Sequence, residues 1–214
     1  MILDSNSFVI GKAVPMARDD VDTDQIIPAQ FLRLLTKKGL GKYLFYRWRY
    51  EEDGTPKEGF FLDDPKFKGA SILVAGKNFG VGSSRENAVW ALMDYGIRCV
   101  VAASFGDIFY NNSAKNFLVC AKMPQEAILS LQERASGGTL TLKVDLDRQE
   151  VSSPDGYLAG FEMDRAVLNK LIERKDDLKT TDGWLENISR FEKGRKGYTN
   201  VSAHRTLLGT KDLG

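Results

Sequence analysis

Residues 70–103, ASILVAGKNFGVGSSRENAVWALMDYGIRCVVAA, decide the fold class of this chain. The run from Ala70 to Gly76 is apolar and of strand length, and a second apolar run covers residues 99–103. Between these runs, apolar residues recur at helical spacing, and Gly96 stands where such a helix would end; the residues at that spacing are Ala88, Ala91, Leu92 and Tyr95. The pattern predicts a strand–loop–helix–strand unit and therefore an α/β protein.

The loop of this unit, Gly80 to Asn87 (GVGSSREN), carries the first functional signal. It places two hydroxyls and a guanidinium at the predicted start of the helix, where free backbone N–H groups and the positive end of the helix dipole attract anions. The guanidinium of Arg85 can hold an oxyanion by two parallel hydrogen bonds. We therefore predict that a carboxylate or a phosphate binds here. A simpler interpretation is that Ser83 or Ser84 only caps the helix.

Two familiar glycine-loop motifs are absent from this segment. The dinucleotide-binding pattern requires a third glycine at the position that Arg85 occupies. The phosphate-binding P-loop requires a lysine before the serine, and none stands there. The loop is therefore not a standard nucleotide site.

The segment before this unit is strongly acidic. Residues 7–14 are predicted to form a first strand that ends at Pro15, and the aspartates of residues 19–24 are predicted to cap a short helix beginning near Pro28. A calcium loop is the rival interpretation, but its central glycine and closing glutamate are missing. An acidic turn beside an anion site requires that the aspartates pair with arginines, which makes Thr23 and Asp24 candidate orienting groups.

Aromatic residues are concentrated between positions 43 and 50. They could stack on nucleobases, but a role in a core or an interface is the favoured interpretation; these residues are Tyr43, Phe45, Tyr46, Trp48 and Tyr50.

The rest of the chain continues the α/β pattern. We predict a short helix after Ser104, strands at 116–121, 139–146, 150–151 and 157–161, and helices at 125–134, 164–175 and 184–193. From Gly194 onward the chain is polar and glycine-rich. The simplest organisation is one α/β domain with a C-terminal helical extension over residues 1–193, followed by a flexible tail at 194–214.

Composition limits the classes of function. The 214 residues carry a formal net charge of +1, which gives no reason to expect nucleic acid or a membrane surface as a partner. Neither a membrane-length apolar run nor a signal peptide is evident, so a cytoplasmic location is expected. Cys99 and Cys120 are predicted core residues, too few to ligate an iron–sulfur cluster or a structural zinc. His204 is the only histidine, so a catalytic base must be another residue type or come from another chain.

Three segments, in this order, give the chain a family likeness: Asp20–Leu32 (DVDTDQIIPAQFL), Lys77–Glu86 (KNFGVGSSRE) and Ser104–Asn112 (SFGDIFYNN). Together they resemble the small subunits of 3-isopropylmalate dehydratase, a branch of the aconitase superfamily. The resemblance implies a swivelling β/β/α domain that closes over a larger partner holding a [4Fe–4S] cluster, with no metal bound by this chain.

The resemblance also implies an activity and a site. The expected activity is that of a heteromeric hydro-lyase of leucine biosynthesis, active only with its large subunit, which isomerises the small hydroxy dicarboxylate 2-isopropylmalate to 3-isopropylmalate. Ser83 matches the family's catalytic base. The matching substrate-binding positions are Ser84, Arg85, Thr23 and Asp24.

Two alternatives remain open at this point. Asn87 stands where the family usually has histidine, and the segment after Leu171 lacks the family's glycine- and isoleucine-rich turn. A paralogous small subunit that acts on another 2-alkylmalate, on citraconate or on homoaconitate is therefore the second hypothesis. The third is a non-catalytic module that binds an anion without a partner.

Overall fold

A seven-stranded mixed sheet forms the centre of the fold, with the strand order β4-β3-β2-β1-β5-β6-β7. The structure, a computed structural model, describes residues 7–33 and 36–173. The strands are β1 (Phe8–Met16), β2 (Ile72–Ala75), β3 (Cys99–Ala102), β4 (Val119–Lys122), β5 (Thr141–Asp145), β6 (Glu150–Ser152) and β7 (Leu158–Gly160). The helices are α1 (Thr23–Ile26), α2 (Tyr46–Arg49), α3 (Glu86–Tyr95), α4 (Asp107–Lys115), α5 (Gln125–Ala135) and α6 (Arg165–Glu173).

The sheet has two halves that share β1. In the parallel half, β1, β2, β3 and β4 run side by side in the same direction, with Val14 opposite Leu73. In the antiparallel half, β1 pairs with β5, and β6 and β7 follow as hairpins, with Gly11 opposite Leu142. β1 therefore joins the two halves.

Both faces of the parallel half are covered by helices and loops. Successive residues of β2 point to opposite faces: Leu73 belongs to the core on the side of α3, whereas Val74 belongs to the core on the side of α5. All four residues of β2 and all four of β3 are buried. Parallel strands covered on both faces are expected to be continuous apolar runs, as these are.

The predicted strand–loop–helix–strand unit is confirmed as β2, α3 and β3. The helix ends at Gly96, whose φ of 121° is a backbone conformation that glycine adopts easily and other residues rarely do. The Gly96 N–H donates to the carbonyls of Leu92 and Met93. The predicted alternation along β5 is also confirmed, since Leu142 and Val144 are buried between half-buried neighbours.

Pro15 does not end the first strand, so that prediction is wrong. β1 continues to Met16, and Pro15 lies opposite Val74 of β2. The nitrogens of Ala13 and Pro15 point to the same side of β1. The Ala13 N–H donates to the carbonyl of Leu140, just before β5 begins. The nitrogen of Pro15 therefore lies past the end of β5, and its lack of an N–H removes no hydrogen bond between the two strands.

The predicted short helix near Pro28 forms as a single 3₁₀ turn whose first N–H, that of Ala29, donates to Asp24, and an additional helix, α1, begins earlier, within the acidic segment. Asp22 caps α1 by accepting from the Gln25 N–H at 2.7 Å, while the Gln25 side chain accepts from the Asp22 N–H at 2.9 Å. This reciprocal capping box starts α1 at Thr23. Only one 3₁₀ turn, Ala29–Phe31, follows Pro28.

The aromatic segment contributes to the core, as predicted. Phe45 is fully buried and stacks on Trp48, with ring centroids 5.2 Å apart and planes 7° from parallel. Tyr43 packs against the same core and stacks on Phe31.

Cys99 and Cys120 are confirmed as buried residues of β3 and β4, and both are free thiols. Burial raises the pKa of Cys120 to about 12 and that of Cys99 well above the usual value.

Several predictions concern residues outside the described ranges. They are the helix at 184–193, the domain boundary at 193, the position of His204 and the flexible tail at 194–214. Within the described ranges, the helices are all too short or too polar to cross a membrane.

Candidate active site

The loops that follow β1, β2 and β3 meet at the carboxyl edge of the parallel half. Pairing continues there beyond the strands, since Asp22 forms a parallel bridge with Val81, and Phe79 forms one with Phe105. The Thr23 N–H donates to the carbonyl of Val81 at 2.9 Å. These contacts bring together the acidic segment, residues 19–24, and the loop Gly80–Asn87, which is called the serine loop below.

Two glycines allow the serine loop to lie close to α4 and to the loop that precedes it. At Gly80 the φ is +77°, and an added Cβ would lie 2.2 Å from Cγ of Phe109. At Gly106 an added Cβ would lie 2.6 Å from the carbonyl oxygen of Gly80. A larger residue at Gly80 would push the serine loop away from α4, and one at Gly106 would push it away from the loop that precedes α4.

Ser83 and Ser84 are exposed at the tip of the serine loop. Neither hydroxyl has a hydrogen-bond partner among residues 7–33 and 36–173. The helix α3 begins after them, with Arg85 in the N-cap position and no side chain capping its amides. The interpretation of either serine as a simple cap is therefore wrong, and the positive end of α3 is open to a ligand.

Arg85 lies behind the serines, with 14% of its side chain exposed. Its Nη1 forms an ion pair with Oδ1 of Asp24 and contacts the carbonyl of Ile27 at 3.3 Å. In the described part of the chain, its Nε and Nη2 donate no hydrogen bond. The ion pair therefore fixes one side of the guanidinium and leaves the rest available to an oxyanion.

Asp24 holds two arginines at once. Its Oδ2 pairs with Arg47, and its Oδ1 also accepts from the Ala29 N–H at 3.0 Å. Burial acts to raise the pKa of Asp24, but the hydrogen bonds from Arg85 and Ala29 and the charges of both arginines outweigh it and lower that pKa. The expectation that the acidic turn pairs with arginines is confirmed for this residue.

Thr23 is buried beneath the serine loop, with 2% of its surface exposed. Its hydroxyl donates to the carbonyl of Ser83 at 2.9 Å. The structure thus brings all five predicted site residues to one edge: Ser83 and Ser84 at the surface, Arg85 behind them, and Thr23 and Asp24 as supports from the neighbouring loop.

Two further residues of this region were not singled out from the sequence. Arg47 extends from α2 and forms an ion pair with Asp24. The side chain of Asn116 donates a hydrogen bond to Glu86 at 2.7 Å and accepts one from the indole N–H of Trp90 at 3.0 Å. These contacts span distant parts of the chain, and no local pattern marks them.

The described residues hold no group of three histidine, cysteine, aspartate or glutamate side chains placed to bind a metal ion. Cys99 of β3 and Cys120 of β4 are buried in the two cores on opposite faces of the sheet. The described residues therefore do not fit an iron–sulfur cluster on this chain.

Comparison with known proteins identifies the family to which the chain belongs. The family model described as the aconitase C-terminal domain matches residues 7–126, more than half of the chain. The 3-isopropylmalate dehydratase small subunit of Oceanobacillus iheyensis is 46% identical over 185 residues, which cover 86% of this chain and 96% of that protein. The chain belongs to the family of 3-isopropylmalate dehydratase small subunits.

Two further proteins are similar to this chain. The small subunit of Afipia carboxidovorans is 47% identical over 86% of this chain and 92% of its own length. The crystal structure of 3-isopropylmalate dehydratase from Methanocaldococcus jannaschii matches with a TM-score of 0.64 and 27% identity, over 87% of this chain and 99% of that one. The predicted aconitase-like swivel fold is therefore confirmed.

Proposed function

We propose that this chain is the small subunit of a 3-isopropylmalate dehydratase, a hydro-lyase of leucine biosynthesis that is active only with a large subunit. One observation supports the site: the exposed Ser83 lies at the open end of α3 beside Arg85, in a chain 46% identical to such a subunit. The substrate is a small hydroxy dicarboxylate, 2-isopropylmalate, and the product is 3-isopropylmalate.

The reaction moves a hydroxyl group between neighbouring carbons. A proton leaves the methylene carbon of 2-isopropylmalate while hydroxide leaves the carbon that bears the isopropyl group, and water then adds to the double bond in the opposite sense. One protein group must take and return a proton, and another must hold the carboxylate next to the reacting carbon.

Ser83 is the base in this proposal. A serine hydroxyl is a weak base, and its deprotonated form needs stabilisation by positive charge or by hydrogen-bond donors. The open amides and the positive dipole end of α3 supply it, together with the charge of Arg85. Since no described residue forms a hydrogen bond with Oγ of Ser83, this oxygen, in its deprotonated form, is free to receive the substrate's proton.

Arg85 and Ser84 bind a substrate carboxylate. The donors of Arg85 that are not paired with Asp24 match the two oxygens of a carboxylate. Thr23 and Asp24 line the site from the other loop, where they hold Ser83 and Arg85 in position.

The large subunit carries the [4Fe–4S] cluster in this proposal, because the described residues of this chain do not fit one. When bound, such a cluster supplies a Lewis acid for the departing hydroxyl. This chain binds the carboxylate and holds the proton at Oγ of Ser83. The free thiols Cys99 and Cys120 suit a reducing compartment, which supports the cytoplasm as the location.

Reconstitution tests the proposal. The chain is purified, mixed with a cluster-loaded 3-isopropylmalate dehydratase large subunit under anaerobic conditions, and assayed with 2-isopropylmalate. We expect turnover by the mixture and none by either chain alone. Turnover of citraconate or homoaconitate in place of 2-isopropylmalate would assign the chain to a paralogue, and failure to turn over any of these diacids would refute the proposal.

A further inference from the structure

We propose that Asn78 is a positioning residue that ties together the three loops of the site, with Asp20 and Ser104 as its partners. These three residues are called the Asn78 network below. The inference rests on the proposed function, because it concerns the geometry of the same site. The side-chain hydrogen bonds of Asn78 within the described part of the chain go to Asp20 and Ser104, and not to the five residues assigned to the reaction.

The hydrogen bonds of the Asn78 network connect all three loops. The Asn78 N–H donates to Oγ of Ser104 at 2.8 Å, and the Ser104 hydroxyl donates back to Oδ1 of Asn78 at 3.0 Å. The amide nitrogen of the Asn78 side chain donates to Oδ1 of Asp20 at 2.6 Å. Asp20 follows β1, Asn78 follows β2 and Ser104 follows β3, so one side chain joins three segments.

An ordinary loop asparagine would bond its own turn, and this one does not. Its partners lie 58 and 26 residues away along the chain. The bond to Asp20 involves a carboxylate, which makes it stronger than a bond between neutral groups. The network therefore contributes to the relative position of the loops rather than to the shape of one turn.

The backbone conformation also favours these residue types. Asn78 and Asp20 both have a φ of 54°, in the left-handed region that most side chains avoid and that asparagine and aspartate tolerate best. The backbone bond from the Asp20 N–H to the Lys77 carbonyl, at 2.9 Å, connects the same two loops. The side chains and the backbone thus fix the same contact.

The position of the network relates it to catalysis. Asp20 lies shortly before Thr23 and Asp24, and Asn78 lies shortly before Ser83 and Arg85. A shift between the two loops at this point moves Ser83 and Arg85 relative to their supports. A displacement of about 1 Å at a reacting group can cost about a hundredfold in rate.

Glycine variants test the network without adding backbone strain, because glycine adopts a positive φ freely. We expect Asn78→Gly and Asp20→Gly to lower the kcat of the reconstituted enzyme about tenfold, with KM within about twofold of wild type. Asp20→Asn keeps both the acceptor oxygen and the tolerance of a positive φ, so it should retain the wild-type kcat. The double variant Asp20→Gly, Asn78→Gly should be no slower than Asn78→Gly, because both changes remove the same bond.

Ser104→Ala provides a second route if the glycine variants do not fold, since Ser104 is not among the residues with a positive φ. We expect the same loss of kcat from it. Wild-type kcat in Asn78→Gly or in Ser104→Ala would overturn the inference, and so would an Asp20→Asn variant as slow as Asp20→Gly.

Hydrogen exchange separates this inference from the proposed function. The backbone N–H groups of Gly80 and Thr23 connect the serine loop and the acidic segment, because they donate to the carbonyls of Val21 and Val81. In the Asn78→Gly chain, these two N–H groups should exchange faster than in the wild type. If the wild-type enzyme turns over no diacid but this exchange is faster, the proposed function fails while the network stands. Unchanged exchange with an active wild-type enzyme refutes the network alone.

Discussion

The two halves of the sheet share β1 but differ in where they bring their loops. In the parallel half, the carboxyl ends of successive strands lie at one edge, so residues 19–24, 76–85 and 103–106 meet there. In the antiparallel half, consecutive strands are joined by hairpin turns at opposite ends. Strand direction therefore decides which half can combine distant residues into one site.

Burial differs in the same way. All residues of β2 and β3 are buried, because both faces of the parallel half are covered. In β7, by contrast, Leu158 is 64% exposed. The antiparallel half completes the pairing of β1 and covers part of the core, and the candidate chemistry lies in the parallel half.

The largest expected effect of a single change is at the serine loop. Ser83→Ala should lower kcat by about a hundredfold or more, because it removes the group that we propose takes the proton. The matched control is Ser152→Ala in β6 of the antiparallel half, which should retain the wild-type rate. The measurement is steady-state turnover of 2-isopropylmalate by the reconstituted enzyme.

Association with the large subunit, followed by size-exclusion chromatography, should be the same for both serine variants. A Ser83→Ala enzyme with more than about half the wild-type kcat would remove Ser83 from the mechanism.

A pair of glycines tests whether the carboxyl edge of the parallel half is packed more tightly than a hairpin turn of the antiparallel half. Gly80 and Gly156 both have a positive φ, of +77° and +89°, but an added Cβ meets Phe109 at Gly80 and nothing within 4 Å at Gly156. Gly156→Ala should therefore cost only the backbone strain, about 1–2 kcal/mol of unfolding free energy. Gly80→Ala should cost about 1–3 kcal/mol more.

Urea unfolding of the isolated chain measures both glycine variants under one set of conditions. Equal losses of stability would mean that the serine loop moves away from Phe109 at little cost, and that the carboxyl edge is no more tightly packed than the hairpin turn.

Two aspartates of similar charge environment provide the third comparison. Asp24 in the parallel half pairs with Arg85 and Arg47, and Asp145 in the antiparallel half pairs with Lys143 at 2.8 Å. Asp24→Asn should lower kcat/KM about tenfold, because Arg85 loses its charged partner, whereas Asp145→Asn should stay within about twofold of wild type. Steady-state kinetics of the two variants decides this.

The same two variants predict a pH dependence. The pKa of Asp145 is lowered chiefly by its hydrogen bond from Lys143, and that of Asp24 is also lowered. Each ionised carboxylate therefore stabilises the fold above the unfolded-state pKa of about 4, and this stability is lost as the pH falls through the lower folded-state pKa. Unfolding free energies between pH 7 and pH 2 should decrease less steeply in both variants than in the wild type. A steeper decrease in either one would contradict the assignment of its ion pair.

Local patterns predicted the central unit because its signals lie close together in the chain. The apolar runs of β2 and β3, the helical spacing of α3 and the stop at Gly96 need no knowledge of the rest of the fold. The start of α1 was missed although the aspartate–glutamine spacing of its capping box is present in the sequence. The continuation of β1 through Pro15 depends on which strand lies beside its nitrogen, and only the sheet order supplies that.

The site was predicted in part for the same reason. Ser83, Ser84 and Arg85 are neighbours in the chain, and a helix start gives them a recognisable context. The charge argument predicted that the aspartates pair with arginines, and the structure identifies the pair as Asp24 with Arg85. The contacts of Arg47 and the Asn78 network join residues that only the parallel strand order brings together, so a local pattern does not reveal them.

The central place of β1 has a consequence for how the chain folds. Its residues pair with β2 on one side and with β5 on the other, so that Phe8 lies opposite Asp145. During synthesis the first strand emerges from the ribosome long before its second neighbour exists, and one of its edges stays open until β5 is made. Contacts of such long sequence separation make folding slow. The seven-stranded sheet can therefore be completed only late, after most of the chain has been translated.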